Sequence, residues 1–360
     1  MFLALKELKH SKKKFALIIA VVILVSYLVY FLTSLAYGLA SSYTDSINKW
    51  DANDVILTMD ANDNMMMSFM TDEDYNSIVV QGEKAKLGLF PAVISNPQAS
   101  SDVDTRLNIY LFGIEDNSFI KPSESNVTLT GNDVIVSDEL KKSGYDIGDK
   151  IRIAGSNIAG EELELIIRGF AKKATYQTAP VIYMDLSTWQ VNRYSTQTPP
   201  NLYSSVIIRG DVDFLQSNFV QYTIDDYIFT LPGYTAQVLT FTIMIVFLII
   251  IVAFVLGIFI YVLTIQKSSM FGVMKAQGIS NAYIATSVLL QTLVLVAMGI
   301  IAGFVLTIVT TIFLADIVPL ASNYLFYSVI TLAFLLFAIF GGLFSVNAVL
   351  KIDPLKAIGG

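Results

Sequence analysis

The sequence carries an uncharged apolar run, FALIIAVVILVSYLVYFLTSLAYGL, from Phe15 to Leu39. A helix needs roughly 20 apolar residues to cross a hydrocarbon core of ~30 Å, so this run predicts a membrane span. It is longer than the roughly 7–15 apolar residues of a signal peptide, which argues against a cleaved leader. Three later runs have the same character. Together the four runs predict spans at residues 15–40, 236–265, 282–314 and 325–350.

Charged residues are distributed unevenly along the chain. They make up only 15% of it, against 54% hydrophobic residues. After Asp226 the only carboxylates are Asp316 and Asp353, and nearly all the others lie between residues 41 and 235. This distribution predicts a membrane protein with four transmembrane α-helices and an α+β extracellular domain at residues 41–235, inserted between helices 1 and 2.

The lysine positions predict how the spans are oriented. Five lysines precede the first span, whereas Lys49 is the nearest one after it. Because cytoplasmic loops are enriched in lysine and arginine, we expect both termini inside a multi-pass cell-membrane protein. The segment 266–281 and the tail 351–360 then lie inside, and the loop 315–324 outside. Residues 1–14 are interpreted as an amphipathic helix in the inner interface, with a solvated start as the alternative.

The domain between the first two spans has the patterns of an α+β lobe. In DKIRI and EELELIIRG, apolar and charged residues alternate with a period of two, which predicts half-buried strands. APVIYMDLSTWQ predicts another strand and a helix that starts near Asp185. Residues 42–90 are expected to be more helical. They include the tract NMMMSFM, whose methionines suit either an apolar ligand groove or simple packing.

Several classes of function are excluded by residues that the sequence lacks. There is no cysteine, and the single histidine, His10, lies among the N-terminal lysines, so we expect no nucleophilic His site or His-based metal site in the outer domain. No GxxxxGK[ST] motif is present, and the net charge of −7 argues against a nucleic-acid partner. The acidic pair Asp72 and Asp74 is interpreted as part of a solvated face.

The predicted spans carry almost no ionisable residues. Ion-driven transporters usually hold such residues at membrane depth. If the protein moves a cargo, we therefore expect the energy to come from a partner. The loop after the second span, QKSSMFGVMKAQGIS, predicts a short amphipathic helix that displays Met and Phe. An apolar surface of this kind docks either a protein or lipid headgroups, and the presence of only two lysines favours a protein.

The order of one span, a large outer domain and three spans, together with GVMKAQG and the ending KIDPLKAIGG, resembles the FtsX/MacB-type permeases of ABC transporters. LTIQKSSMFGVMKAQGIS and DPLKAIGG are more narrowly similar to the HrtB-like haem-exporter permeases of Gram-positive bacteria. The resemblance implies a non-catalytic permease subunit, with no intrinsic cofactor, that forms a homodimer and works with an HrtA-like ATPase subunit that binds ATP. It also implies mechanotransmission, in which the ATPase cycle is relayed through spans one and two to the outer domain.

In that family the segment Gln266–Ser280 would be the coupling helix that enters a groove of the ATPase. The implied ATPase-coupling residues are Lys267, Met270, Phe271, Val273, Met274, Lys275, Ala276 and Gly278. Small residues in the spans permit close helix approach and are compatible with a dimer; these are Gly299, Gly303, Gly341 and Gly342.

If haem is the cargo, its iron ligands outside the membrane are restricted to Tyr, Met or carboxylate, and tyrosinate is an established haem ligand. The candidate ligands are Tyr176 and Tyr234, for which packing and interfacial anchoring are the alternatives. Lys172 and Lys173 are candidate partners of the propionates. The remaining candidate substrate-binding residues are Met65, Met66 and Met67. Two other functions stay open: FtsX-like signalling to a cell-wall hydrolase, and export of a lipoprotein or peptide.

Overall fold

A computed structural model describes residues 12–95, 106–158, 161–314 and 317–350. The chain divides into two compact units. The membrane unit comprises the residues up to Gly38 and those from Val238 onwards, and the sheet unit comprises Leu39–Gln237. The tail 351–360 lies outside the described residues, as does Asp316. The segment 1–14 also lies outside them, apart from its last three positions.

The described residues form nine α-helices. They are α1 (Lys12–Asn48), α2 (Asp72–Ser77), α3 (Glu139–Lys142), α4 (Leu186–Tyr194), α5 (Ile224–Thr230), α6 (Tyr234–Ile265), α7 (Ser268–Ala276), α8 (Asn281–Leu314) and α9 (Tyr324–Leu350). Within the described part of the chain, four helices are long and apolar enough to cross a membrane: α1, α6, α8 and α9. The predicted class of four apolar spans is confirmed, and α1 continues past its apolar run to Asn48.

The helices of the membrane unit approach closely at glycines. A Cβ added to Gly299 would lie 2.4 Å from Val22 Cγ1, and one added to Gly303 would lie 2.1 Å from Ser26 Oγ. The Ser26 hydroxyl donates to the carbonyl of Gly299 at 3.3 Å. On α9, Gly341 faces Gly257 of α6, and the neighbouring Gly342 faces α8. These small residues therefore serve helix packing within one chain.

Twelve strands are present among the described residues. They are β1 (Asp54–Thr58), β2 (Met70–Thr71), β3 (Val79–Ser95), β4 (Leu107–Ile114), β5 (Asp133–Ser137), β6 (Lys150–Ile158), β7 (Glu161–Ala171), β8 (Thr175–Tyr176), β9 (Ala179–Asp185), β10 (Leu202–Tyr203), β11 (Ser205–Phe214) and β12 (Phe219–Thr223). The main sheet has the order β12-β1-β11-β3-β4-β9-β5-β7-β6, and β6 pairs again with the end of β3. β4 with β9 and β5 with β7 are parallel pairs within an otherwise antiparallel sheet.

The sheet unit has a hydrophobic core on both faces of the sheet. Along β1, Val55 and Leu57 belong to one buried cluster and Ile56 to the other. This alternation is the period of two expected for a strand covered on both sides. The strands predicted from DKIRI, EELELIIRG and APVIYMD are present as β6, β7 and β9. The helix after β9 is capped by the Asp185 carboxylate, which accepts hydrogen bonds from the backbone N–H groups of Ser187 and Thr188.

The expectation of a more helical segment at 42–90 is wrong for most of its length. After α1 ends at Asn48, the segment contains β1, β2 and most of the long strand β3. Its helical parts are two single-turn 3-10 helices, Met59–Ala61 and Met65–Met67, and the short α-helix α2. β3 pairs with β11 over its first half and with β4 over its second half. Its Ala, Lys and Glu residues favour a helix locally, but pairing with two distant strands decides the conformation.

Candidate functional site

The short helix predicted between the second and third spans is present as α7. Lys267 occupies its N-cap position, and Gly278 follows its end with φ of +83°. The N–H of Gly278 donates to Lys275 O and that of Ile279 to Met274 O, which satisfies carbonyls at the helix end. Glycine is required in this turn because its left-handed φ is costly for residues with a side chain. α7 is thus a separate helix with a turn at each end.

α7 has one face packed against its own unit and one face exposed. Phe271 is only 4% exposed and packs in a buried cluster with Ile284, Val288 and Val346. Met270 and Val273 are 36% and 43% exposed. The expectation that α7 displays Phe271 is therefore wrong, because its ring fills the junction between α7, α8 and α9.

The exposed side of α7 forms a stripe at helical spacing. Met270, Val273, Ala276 and Gln277 are all exposed, and positions three and four apart share a helix face. Met274 is half-buried against the Phe271 cluster, and Lys275 is half-buried in the last turn. Of the predicted coupling residues, the structure therefore offers Met270, Val273, Ala276 and Gly278 to a partner most openly. We call Met270, Val273, Ala276 and Gln277 the α7 stripe.

A groove of about 420 Å³ opens on the sheet unit beside Tyr176. Its wall brings together three of the predicted substrate-binding residues, which are Tyr176, Met65 and Met67. The remaining lining residues are Asp60, Ala61, Asn62, Asp63, Asn64, Gln177, Tyr227, Thr230, Leu231 and Pro232. The size falls in the range of small-molecule sites, and the lining combines apolar side chains with a few polar groups. We call this cavity the Tyr176 groove.

Tyr176 lies at the buried side of the groove. It is 2% exposed, and its hydroxyl oxygen is 2.9 Å from that of Tyr227. Burial raises the pKa of the Tyr176 phenol above its ordinary value, and burial has the same effect on the pKa of Tyr227. Both phenols are therefore neutral at physiological pH in this conformation. The ring of Tyr176 also makes edge contacts with Tyr110 at 4.9 Å and Phe112 at 5.7 Å.

A tight turn fixes Tyr176 in place. Gln177 and Thr178 connect β8 to β9 with φ of 47° and 68°, in the left-handed region that is unfavourable for a β-branched threonine. Their N–H groups donate to the carbonyls of Tyr43 and Ser42 at 3.0 and 3.1 Å. The Tyr110 hydroxyl donates to Gln177 Oε1 at 3.0 Å. The turn is thus held by the C-terminal end of α1 and by β4.

The other candidate haem contacts are not among the residues that line this groove. Tyr234 starts α6, where its ring lies 5.8 Å from the rings of both Tyr43 and Phe229. Lys172 and Lys173 are exposed in the turn after β7. Their backbone N–H groups donate to the carboxylates of Glu124 and Asp138, respectively. Met66 is partly buried against the core cluster. The roles of these residues toward a cargo stay predictions.

Sequence reasoning missed the polar residues that accompany Tyr176. Tyr227 is 51 positions away along the chain, and the acidic residues of the groove, Asp60 and Asp63, flank the left-handed Asn62 in a surface loop. The only local signal was the turn chemistry of DANDN, which predicts a loop but no partner. Among the described residues, no group of three or more His, Cys, Asp or Glu side chains is placed to hold a metal ion.

Comparisons with known proteins match the whole chain and its last third. Residues 242–354 match the family model described as FtsX-like permease C-terminal. A hemin transport system permease protein HrtB of Staphylococcus haemolyticus is 25% identical over 368 residues, covering 100% of this chain and 99% of the relative. One from Staphylococcus epidermidis is 23% identical over 378 residues with the same coverage. The resemblance to FtsX-like and HrtB-like permeases is confirmed.

A solved structure also aligns with part of the chain. It is the periplasmic region of MacB from Actinobacillus actinomycetemcomitans. The alignment covers 48% of this chain and 89% of that structure, with a TM-score of 0.32 and 12% identity.

Proposed function

From the match of residues 242–354 to the FtsX-like permease C-terminal family, we propose that the protein is the non-catalytic permease subunit of an ABC transporter. A separate ATPase subunit binds and hydrolyses ATP and docks on α7. The cargo is haem or a similar amphiphile. The haem assignment is supported by similarity, over the whole chain, to relatives named as hemin transport permeases.

The observation that carries the docking role is that one face of α7 is buried and the opposite face is exposed. Phe271 fixes the helix to its own unit, while Met270 and Val273 remain exposed. A short, anchored helix with an exposed apolar stripe suits insertion into a groove of another protein. The positive-inside rule supports a cytoplasmic position for this helix, where an ATPase would meet it.

Mechanotransmission is supported by the continuity of two helices. The boundaries between the units fall after Gly38 and after Gln237, and both positions lie inside helices, α1 and α6. A helix carries displacement along its axis better than a flexible linker does, because its backbone hydrogen bonds resist extension. We propose that α1 and α6 pass the movement driven by the ATPase to the sheet unit.

A homodimer that pairs through α6 is supported by the exposure of that helix. In the most apolar 18-residue stretch of α6 only 17% of the residues are buried within the chain, compared with 39% in that of α8. Phe247, Ile251, Phe254 and Ile258 are exposed on it at helical spacing. The glycines Gly299, Gly303, Gly341 and Gly342 already pack against helices of the same chain. We propose that a second copy packs on this α6 stripe.

The docking proposal is tested by co-purification of the permease with its ATPase. Met270→Asp and Val273→Asp place a charge on the α7 stripe and are expected to abolish the complex. Ser268→Asp is the matched control, since it adds the same charge in the first turn, where a carboxylate is favourable to the helix N-terminus. Retention of the complex in both stripe variants contradicts the proposal.

The cargo proposal is tested by titrating the permease in nanodiscs with haemin. We expect a protein-dependent shift of the Soret band beyond that of empty nanodiscs of the same lipid. A spectrum that matches the empty nanodiscs contradicts haem as the cargo and leaves docking on α7 unaffected.

A further inference from the structure

A lysine and a glutamine meet where α7 joins the membrane helices. Lys267 Nζ donates to Gln291 Oε1 at 2.8 Å. Lys267 stands at the N-cap position of α7, and Gln291 lies in the first third of α8 and is 7% exposed. The contact therefore ties the start of α7 to the helix that follows it across a separation of 24 residues.

The same lysine also contacts the first membrane helix. Its Nζ lies 5.0 Å from the centroid of the Phe15 ring on α1, and Phe15 is buried. An ammonium group at this distance from an aromatic face gains a cation–π interaction. The backbone N–H of Lys267 donates to Thr264 O in the last turn of α6 at 3.2 Å. One residue thus contacts α1, α6 and α8 while it starts α7.

A glutamine at position 291 is energetically unfavourable if its side chain only fills space. A buried amide costs free energy unless its hydrogen bonds are made, and within the described part of the chain its Nε2 has no partner. The adjacent lining residues are mainly apolar; they include Leu263, Val288 and Leu295. A leucine would fill the same space without that penalty. What the amide provides and a leucine cannot is a directed acceptor for Lys267.

A side-chain contact between α7 and the membrane helices is needed because α7 is flanked by two turns. At one end α6 stops at Ile265, and at the other a left-handed Gly278 separates α7 from α8. Turns of this kind absorb displacement, because their backbone dihedral angles change at little cost. Without side-chain contacts to the membrane helices, a displacement of α7 would be absorbed by changes in the backbone dihedral angles of these two turns.

We propose that Lys267 and Gln291 are positioning residues that clamp α7 to α1 and α8, so that displacement of α7 moves both helices. The inference rests on the proposed docking role of α7. The clamp acts inside one permease chain, and Gln291 is buried in α8, outside the α7 stripe, so it has no part in holding the ATPase. Its loss therefore uncouples ATP hydrolysis from cargo movement while the complex persists.

The clamp is first tested without ATPase or cargo. The chain has no cysteine, so Ala16→Cys on α1 and Ser269→Cys on α7 provide one spin-labelled pair in the full-length protein. Lys267→Met and Gln291→Leu are each expected to broaden the distance distribution, and the double variant no further than either single one. Lys275→Met, which removes the other lysine of α7, is the matched control and is expected to leave the distribution narrow.

Gln291→Glu separates clamping from packing. A carboxylate pairs with Lys267 at least as well as an amide does, whereas it fits an apolar cavity worse than leucine. The clamp predicts a narrow distribution for Gln291→Glu and a broad one for Gln291→Leu. A purely structural role predicts the reverse order, and that result overturns the inference.

The functional readout is cargo moved per ATP hydrolysed in proteoliposomes. Because Gln291→Leu removes the charge-assisted hydrogen bond to Lys267, it is expected to lower this ratio roughly tenfold. Co-purification with the ATPase is expected to remain, which distinguishes a failed clamp from failed docking, where Met270→Asp loses the complex. Unchanged coupling in Gln291→Leu overturns the proposal even if docking is established.

Discussion

Tyr176 and Tyr227 share a hydrogen bond between hydroxyl oxygens 2.9 Å apart at the buried side of the Tyr176 groove. Both phenols are buried, so each hydroxyl forms with the other the hydrogen bond that it would otherwise form with water. The pair joins β8 to α5, two elements that are distant in sequence. Its strength can be measured directly, because removal of either hydroxyl breaks the same bond.

Tyr176→Phe and Tyr227→Phe are each expected to lower the free energy of unfolding of the sheet unit by about 1 kcal/mol, the net value of one hydrogen bond. The double variant is expected to cost little more than either single one, since one bond is lost in all three. The two tryptophans, Trp50 and Trp189, both lie in the sheet unit, so their fluorescence reports its denaturation in the full chain. Additive losses contradict a shared bond.

The two tyrosine candidates for a haem ligand are expected to behave differently. Iron binds tyrosine as the phenolate, and the Tyr176 hydroxyl is buried and hydrogen-bonded to Tyr227. Tyr234 is half-buried at the start of α6. We therefore expect Tyr234→Phe to weaken the Soret shift with haemin and Tyr176→Phe to leave it unchanged. The opposite order requires the Tyr176–Tyr227 bond to open on binding.

Much of the architecture could be predicted because its signals are local. Four apolar runs, the short amphipathic segment that became α7 and the alternating strands all depend on residues close together in sequence. The segment 42–90 was mispredicted because β3 gains its conformation from β11 and β4, far away along the chain. For the same reason, the sequence pattern did not indicate that Tyr227 contacts Tyr176. Phe271 was mispredicted for a related reason: its burial partners Ile284, Val288 and Val346 belong to other helices.

Phe271 and Met270 are neighbours on α7, but their substitution is expected to have different effects. Truncation of Phe271 is expected to lower stability, and truncation of Met270 to weaken docking of the ATPase. Phe271→Ala opens a cavity in the buried cluster and is expected to cost about 3–5 kcal/mol. Met270 is 36% exposed, so Met270→Ala is expected to lower the melting temperature less than Phe271→Ala does and to weaken the ATPase complex. Thermal unfolding and co-purification of both variants check this. Equal melting temperatures contradict the burial of Phe271.

Gly299 and Gly303, which face α1, are expected to differ in how well they tolerate substitution by alanine. At Gly299 the obstacle to a methyl group is mainly the Val22 side chain, whereas at Gly303 it includes the backbone N of Tyr27 at 2.9 Å. Gly299→Ala is therefore expected to be restored by Val22→Ala, and Gly303→Ala to be only partly restored by Ser26→Ala. Melting temperatures of the single and double variants test this. Because these contacts lie within one chain, the oligomeric state is expected to stay the same.

A dimer through α6 predicts a specific pattern of crosslinks. Phe254 on α6 and Phe344 on α9 are similarly exposed, at 69% and 74%. If both side chains contacted only lipid, cysteines at the two positions would therefore give equal crosslink yields. If a second copy packs on the α6 stripe, a cysteine at 254 meets its symmetry mate across an isologous contact, whereas one at 344 faces lipid. Oxidation in native membranes is then expected to give disulfide dimers for Phe254→Cys and not for Phe344→Cys. Since the chain has no other cysteine, no background crosslink arises. Equal yields at both positions, or dimers at 344 alone, contradict pairing through α6.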